Sequence, residues 1–264
     1  RECYEALKDG WKNQNYRNWI SSMENHVFPL IGRKPVDQVD STHVVEVLTP
    51  IWLEIPDTAR KILQRIGAVL DFAHIRGWRE EEAALRSVRK GLPRQTDKVE
   101  HFKAMPYADI PAFMKELASA SPTTGRDALR FTIYNAVRSS ETRKAVWTEF
   151  DLDKAVWTIP GVRMKAKETH VVPLSKAAVS ILRRRWKLRT SDDGLVFSNN
   201  GEKPISDMTM TKLLRDTGIK GATVHGFRSA FTDWAAEKTD FPKEVADKAL
   251  AHKLSNQVEA AYRR

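Results

Sequence analysis

Near its carboxyl end the chain spaces four side chains as chemistry on a phosphate would require: His225, Arg228, His252 and Tyr262. His225 and Arg228 stand three residues apart, so on a helix they share one face. Apolar Phe227, Ala230, Phe231, Trp234 and Ala235 recur at helical intervals and predict an amphipathic helix from Val224 to Glu237. Phe241-Pro242 breaks it, and a second helix, Lys243 to Leu250, carries His252 at its end. A third short segment, Gln257 to Tyr262, brings a phenol back towards these groups. A hydroxyl nucleophile, two proton handlers and a cation are what phosphoryl transfer to a protein side chain needs. Singly each residue has an ordinary structural reading, as packed histidine, half-buried tyrosine or solvated arginine. Their order and spacing carry the argument.

The composition suits that chemistry. The chain has 264 residues, 41% hydrophobic and 30% charged, which predicts two ordinary domains. With 44 Lys and Arg against 34 Asp and Glu, the formal net charge is +10 and favours a polyanionic partner, nucleic acid before membrane. The single cysteine, Cys3, excludes an internal disulfide and a cysteine-built metal site. No apolar run reaches the ~18 residues of a membrane span, and no secretory signal is evident, so with the basic charge a cytoplasmic, DNA-facing protein is expected. The missing initiating methionine and the abrupt end at Arg264 suggest a fragment cut at both ends.

Residues 1–85 read as a helical domain. One helix is expected over Tyr4 to His26, then a turn at Phe28 to Gly32 with Pro29 and Gly32 as breakers. Asp40 or Ser41 should cap a helix through Leu48, and Pro56-Asp57-Thr58 should start another ending at Ile75. The last turns Ile62, Ile66, Val69, Leu70 and Ala73 inward and shows Arg60, Lys61, Gln64 and Arg65 outward, beside Thr58. That face reads as solvated charge or as contact with DNA, and the net charge favours contact, through phosphates rather than base edges. Residues 86–104 lose the pattern, while Arg86, Arg89, Lys90, Arg94, Lys98 and Lys103 outnumber the acids. They are expected to form a basic interdomain linker, either lying along a phosphate backbone or serving as a plain tether.

A second domain, 105–264, should begin with helices over Tyr107 to Ala120 and Gly125 to Val137, with a third reaching Trp147. Period-two segments at Glu149 to Leu152, Ala155 to Ile159 and His170 to Leu174 then predict short antiparallel strands. The connection between the last two holds Arg163, Lys165 and Lys167. Helices over Ser175 to Arg189, with Arg183, Arg184 and Arg185 exposed, and over Ser206 to Arg215 follow, separated by an extended piece at Leu195 to Phe197. The expected fold is mainly α with a small antiparallel β-sheet, in two domains.

Arg138 with Glu141, then Lys165, His225-x-x-Arg228, His252 and Tyr262 resemble the catalytic set of tyrosine recombinases, the phage-type integrases. The similarity extends to Ala136 to Arg143, Trp147 to Leu152, Val156 to Pro160, Arg163 to Lys165, Val172 to Ser175 and Leu250 to Lys253, which look like integrases of genomic islands and satellite prophages. Leu48 to Trp52 and Thr58 to Arg60 look like that subgroup's core-binding domain, so the resemblance covers nearly the whole chain. It implies that Tyr262 attacks a scissile phosphate of double-stranded DNA, giving a 3′-phosphotyrosine and a free 5′-hydroxyl. A phenol of pKa about 10 needs help to lose its proton; His225 is the implied helper, and His252 orients the tyrosine or bonds a phosphate oxygen. Arg138 and Arg228 would clamp the non-bridging oxygens, Lys165 would protonate the leaving 5′-oxygen, and Glu141 would buttress Arg138. Rejoining by a second strand integrates or excises a mobile element without cofactor, metal or ATP.

The family further implies a homotetramer on paired attachment sites, with possible excision or DNA-bending factors. No arm-binding domain precedes Arg1 and the chain stops two residues after Tyr262, so weakened tetramer assembly is expected. The competing readings are a type IB topoisomerase, a decayed integrase that only binds DNA, and a metal-dependent nuclease or transposase, for which no convincing carboxylate constellation is found.

Overall fold

The computed structural model describes residues 1–11, 15–95, 104–219 and 221–252. The chain divides into two compact units, 1–99 and 100–264. Both are helical, and the second adds one three-stranded antiparallel sheet, as the patterning predicted.

In the first unit the expected helix over 4–26 is two: α1 (Glu2–Leu7) and α2 (Asn15–His26). The expected turn at Phe28 is a one-turn helix, α3 (Phe28–Ile31), in whose first turn Pro29 needs no N–H partner. Asp40 caps α4 (Ser41–Trp52), accepting from the His43 N–H at 3.0 Å. Helix α5 (Pro56–Ile75) starts on its proline and buries Ile62, Ile66 and Leu70 in one core with Val44, Val47, Leu48 and Trp52 of α4.

The basic segment expected to be a linker from residue 86 is instead the end of this unit. Leu85–Gly91 forms a helix, α6, whose Val88 is buried in the first core together with Leu92. Gly67 makes room for it, since a Cβ there would lie 2.5 Å from a Leu85 methyl. The Trp52 indole N–H donates to the Pro93 carbonyl at 2.7 Å, and the Gln95 amide donates to the Trp52 carbonyl at 2.6 Å. Two apolar anchors four residues apart are enough to fold a segment whose other positions are mostly basic. Residues 96–103 of the expected linker lie outside the described residues.

The second unit opens with α7 (Ile110–Ser119), α8 (Thr124–Asn135) and the short α9 (Ser139–Arg143). Strands β1 (Phe150–Asp151), β2 (Val156–Ile159) and β3 (His170–Pro173) pair in chain order, with Trp157 opposite Phe150 and Val172. Phe131 of α8 meets Trp157 at 5.5 Å and Phe197 at 5.2 Å between ring centres, which ties sheet to helices. Then come α10 (Lys176–Trp186), α11 (Asp207–Asp216), α12 (Gly226–Lys238) and α13 (Lys243–Ala249). Of the arginines expected at the surface of α10, Arg185 is buried. Its guanidinium donates to the Val196 and Ser198 carbonyls and to the Thr124 hydroxyl, groups that would otherwise be left unpaired in the core. Trp234, expected on the apolar face of α12, is 41% exposed. Among the described residues no helix is long and apolar enough to cross a membrane.

Candidate active site

The site begins where α8 stops. Ala136 closes that helix in the left-handed region, φ 48°, and turns the chain sharply into α9. Buried Val137 follows, and a buried bond between the Thr132 and Thr142 hydroxyls, 2.9 Å, locks α9 to α8. Arg138 therefore sits at a fixed corner as the N-cap of α9. Glu141 holds it twice, through the Arg138 backbone N–H and through the guanidinium Nη1, each at 2.8 Å. The Glu141 side chain is 4% exposed and that of Arg138 23%, so the cation faces outward from a buried carboxylate.

His225 and Arg228 open α12. The Thr223 hydroxyl accepts from the Gly226 N–H at 2.9 Å, and the Phe227 ring stacks on Phe113 at 5.8 Å, which sets the helix start. Arg228 points into the unit, 5% exposed. Its Nη1 donates to the Ala136 carbonyl that the left-handed turn leaves free, and its Nη2 donates to the Leu250 carbonyl at 2.6 Å. Its Nε is buried with no partner among the described residues. Neutral carbonyls fix this guanidinium without neutralising it, so its positive charge is kept at the site. Burial and the nearby Arg138 push this guanidinium down to about 10, still charged at neutral pH.

His252 follows Ala251, whose φ of 49° ends α13 and swings the imidazole towards Arg228. Its Nδ1 lies 3.1 Å from the Asp247 carboxylate and its Nε2 lies 3.3 Å from Arg228 Nη2. His252 thus bridges the Asp247 carboxylate and the Arg228 guanidinium, with Nδ1 placed to donate to the aspartate. Lys165, exposed in the β2–β3 connection, completes the group. Arg228, Arg138, His252 and Lys165 all lower the pKa of His225, after burial, the largest cause. His225 is thus held neutral, the form a proton acceptor needs, while the same cations oppose the charge it would take up. Tyr262 lies outside the described residues.

Sequence reasoning missed three participants. His170, first residue of β3, lies within the field of Glu141, Arg228 and Arg138 and against the Ala249 backbone; burial lowers its pKa below the ordinary histidine value. Its only signal was a polar residue leading an apolar strand. Asp247, five residues before His252, and Glu149 are the others.

Of the expected DNA-contact residues, Thr58, Lys61, Gln64 and Arg65 share one face of α5 and line an open cleft of about 880 Å³ with Trp11 and Trp19. Arg65 is partly engaged there, donating to the Asn18 carbonyl at 3.0 Å and to the Ser22 hydroxyl. Arg60 turns away, to Asp57 and, at 3.0 Å, to the Gln95 amide oxygen. Arg86, Arg89 and Lys90 are exposed on α6. Arg163 does not fit the expectation of a DNA contact, because its guanidinium points inward to the Glu149 carboxylate and the Glu141 carbonyl. Among the described residues no three His, Cys, Asp or Glu side chains are grouped to hold a metal ion.

The sequence profile of the phage integrase central domain matches residues 1–89, and that of the phage integrase family matches residues 103–264. The prophage integrase IntZ of Escherichia coli (strain K12) is 30% identical over 251 residues, covering 92% of this chain and 60% of that protein. The integrase of Enterobacteria phage P4 is 30% identical over 278 residues, 98% of this chain and 62% of that protein. The chain thus spans about 60% of the length of these curated relatives. The lambda integrase tetramer bound to a Holliday junction superposes with a TM-score of 0.74 over 97% of this chain and 76% of that one; at 14% identity the likeness is one of fold. Since the family profile runs through the half of the chain that holds Arg138, His225, Arg228 and His252, the chain belongs to the phage integrase family of tyrosine recombinases.

Proposed function

We propose that this chain is the DNA-binding and strand-cleaving portion of a site-specific recombinase that integrates or excises a mobile element. The observation that carries the reading is the convergence of Arg138, Arg228, His225 and His252 in one electrostatic neighbourhood that also includes the exposed Lys165. Such a cluster can bind a phosphodiester and stabilise the charge that gathers on its non-bridging oxygens.

In this reading Tyr262 attacks phosphorus and passes its proton to His225. Arg138 and Arg228 hold the non-bridging oxygens, and Lys165 gives a proton to the departing 5′-oxygen. The DNA strand becomes a 3′-phosphotyrosine ester, whose bond energy is available to a second strand's 5′-hydroxyl, so no metal or ATP takes part. The first unit, with α6 included, and the second unit act as the core-binding and catalytic domains on double-stranded DNA. Thr58, Lys61, Gln64 and Arg65 supply phosphate contacts and shape readout, and the exposed Arg86, Arg89 and Lys90 add phosphate contacts beside them. Recombination takes place in a homotetramer at paired attachment sites, aided by DNA-bending or excision factors, in the bacterial nucleoid.

The test is a nicked duplex carrying the attachment site, incubated with the chain in EDTA and run on a denaturing gel. A covalent protein–DNA band that forms with the wild type and not with Tyr262→Phe is expected. Tight binding without any band would overturn the catalytic reading in favour of a DNA-binding protein. Relaxation of supercoils without strand exchange by the full-length protein would point to a topoisomerase.

A further inference from the structure

Arg163 ends a short turn, Gly161–Arg163, in the connection that carries Lys165. Its guanidinium has two destinations. Nη1 pairs with the Glu149 carboxylate, and Nη2 donates to the Glu141 backbone carbonyl at 2.5 Å. The Glu149 side chain is only 6% exposed and also accepts from the Trp157 indole N–H at 2.9 Å, so the carboxylate is anchored to β2 in the core. On the other side, Glu141 holds Arg138 through its carboxylate. One arginine therefore joins the Lys165 connection to the helix that presents Arg138.

The connection itself has little freedom. Arg163, Met164 and Lys167 each donate a backbone N–H three residues back, to Pro160, Gly161 and Met164, at 2.9, 3.0 and 3.1 Å. Met164 is buried, and a Cβ at Gly161 would stand 2.6 Å from the Lys167 carbonyl. Lys165 is the exposed residue between these fixed points, two positions from the arginine.

We propose that Arg163 is a positioning residue that sets Lys165 against Arg138 at the scissile phosphate, through its paired bonds to Glu149 and the Glu141 carbonyl. This rests on the reading of Lys165 as the general acid. In that step the Tyr262 oxygen–phosphorus bond forms, the phosphorus–O5′ bond breaks, His225 takes the phenolic proton, and Lys165 delivers a proton to O5′. Losing the guanidinium leaves every reacting group present but lets the acid drift from the leaving oxygen. Lysine cannot replace it, because a point charge on a flexible stem does not bridge a carboxylate and a carbonyl at once.

The experiment compares single-turnover cleavage of two duplexes, one normal and one with sulfur in place of the bridging 5′-oxygen. A thiolate departs without an acid. Lys165→Ala should fail on the normal duplex and recover on the sulfur duplex; if it does not recover, the assignment of Lys165 as acid fails and the inference with it. Arg163→Met and Arg163→Lys should lose roughly 10²-fold on the normal duplex and return to within a few-fold of wild type on the sulfur duplex. An equal loss on both duplexes, while Lys165→Ala recovers, would overturn the positioning role alone. Should the Arg163 variants fail to fold, Glu149→Gln decides. It keeps the shape and loosens the arginine, so a smaller loss confined to the normal duplex supports the proposal and a loss common to both refutes it.

Discussion

In the first unit the cationic and polar groups of α5 stand around an open cleft, with Lys61 and Gln64 exposed to solvent. In the second unit the corresponding charges are built in: Arg228 is 5% exposed and held by two carbonyls, and Arg138 rests on a carboxylate that is 4% exposed. The difference is one of dielectric and freedom. A solvated lysine attracts phosphate through a screened field and moves with it. A buried, fixed guanidinium acts at short range on charge that appears during a reaction, with no reorganisation when it appears. The first arrangement suits holding DNA, the second suits changing it.

That contrast is most sharply broken by Arg228→Lys. Cleavage of the nicked duplex should drop by about 10²-fold or more with DNA affinity within a few-fold of wild type; equal losses in both would remove the distinction. Glu141→Gln comes next. Withdrawing the buried carboxylate from a partly exposed arginine should cost about 2 kcal/mol, read as a lower denaturant midpoint at unchanged slope. Asp247→Asn addresses His252, whose Nδ1 it accepts. Losing a charged hydrogen bond should slow cleavage by roughly tenfold, and an unchanged rate would free His252 from that aspartate.

Lys61→Ala should leave the cleavage rate of bound DNA alone, weaken binding evenly across sequences and reduce the salt slope by about 1. A rate defect here would place the first unit in the chemistry. The smallest expected effect is on pH. His225 and His170 both have folded pKa values below their unfolded value of about 6.5, burial being the first cause. The unfolded chain then binds more protons below that pH, so stability should be level at and above neutral pH and decline as pH falls through the lowered values. In His170→Gln the decline should shrink; an identical Tm–pH profile would acquit His170.

Much of this was legible in the chain itself, for reasons visible in particular residues. The 3.6-residue apolar period of α5 and the alternation of Val156 to Ile159 and His170 to Pro173 located helix and strands, because one-sided burial imposes those periods. Asp40 announced the start of α4, because a side-chain oxygen there satisfies an N–H that has no helical partner. The order Arg138, Lys165, His225, Arg228, His252 was legible through its likeness to the tyrosine recombinase set, and folding brings these groups within one another's field. Basic composition, by contrast, misled. Arg86, Arg89 and Lys90 masked a helix held by Val88 and Leu92, and Arg163 and Arg185 read as surface charge although both turn inward to carbonyls.

What the sequence alone determined was which residues could react and which stretches would form elements, since both follow from neighbours a few positions apart. Only the tertiary structure decided which cations are spent inside the fold and which are left for a ligand. That depends on carbonyls and carboxylates from distant positions, such as Ala136 and Leu250 for Arg228 or Glu149 and Glu141 for Arg163, and chain closure alone brings them within bonding distance.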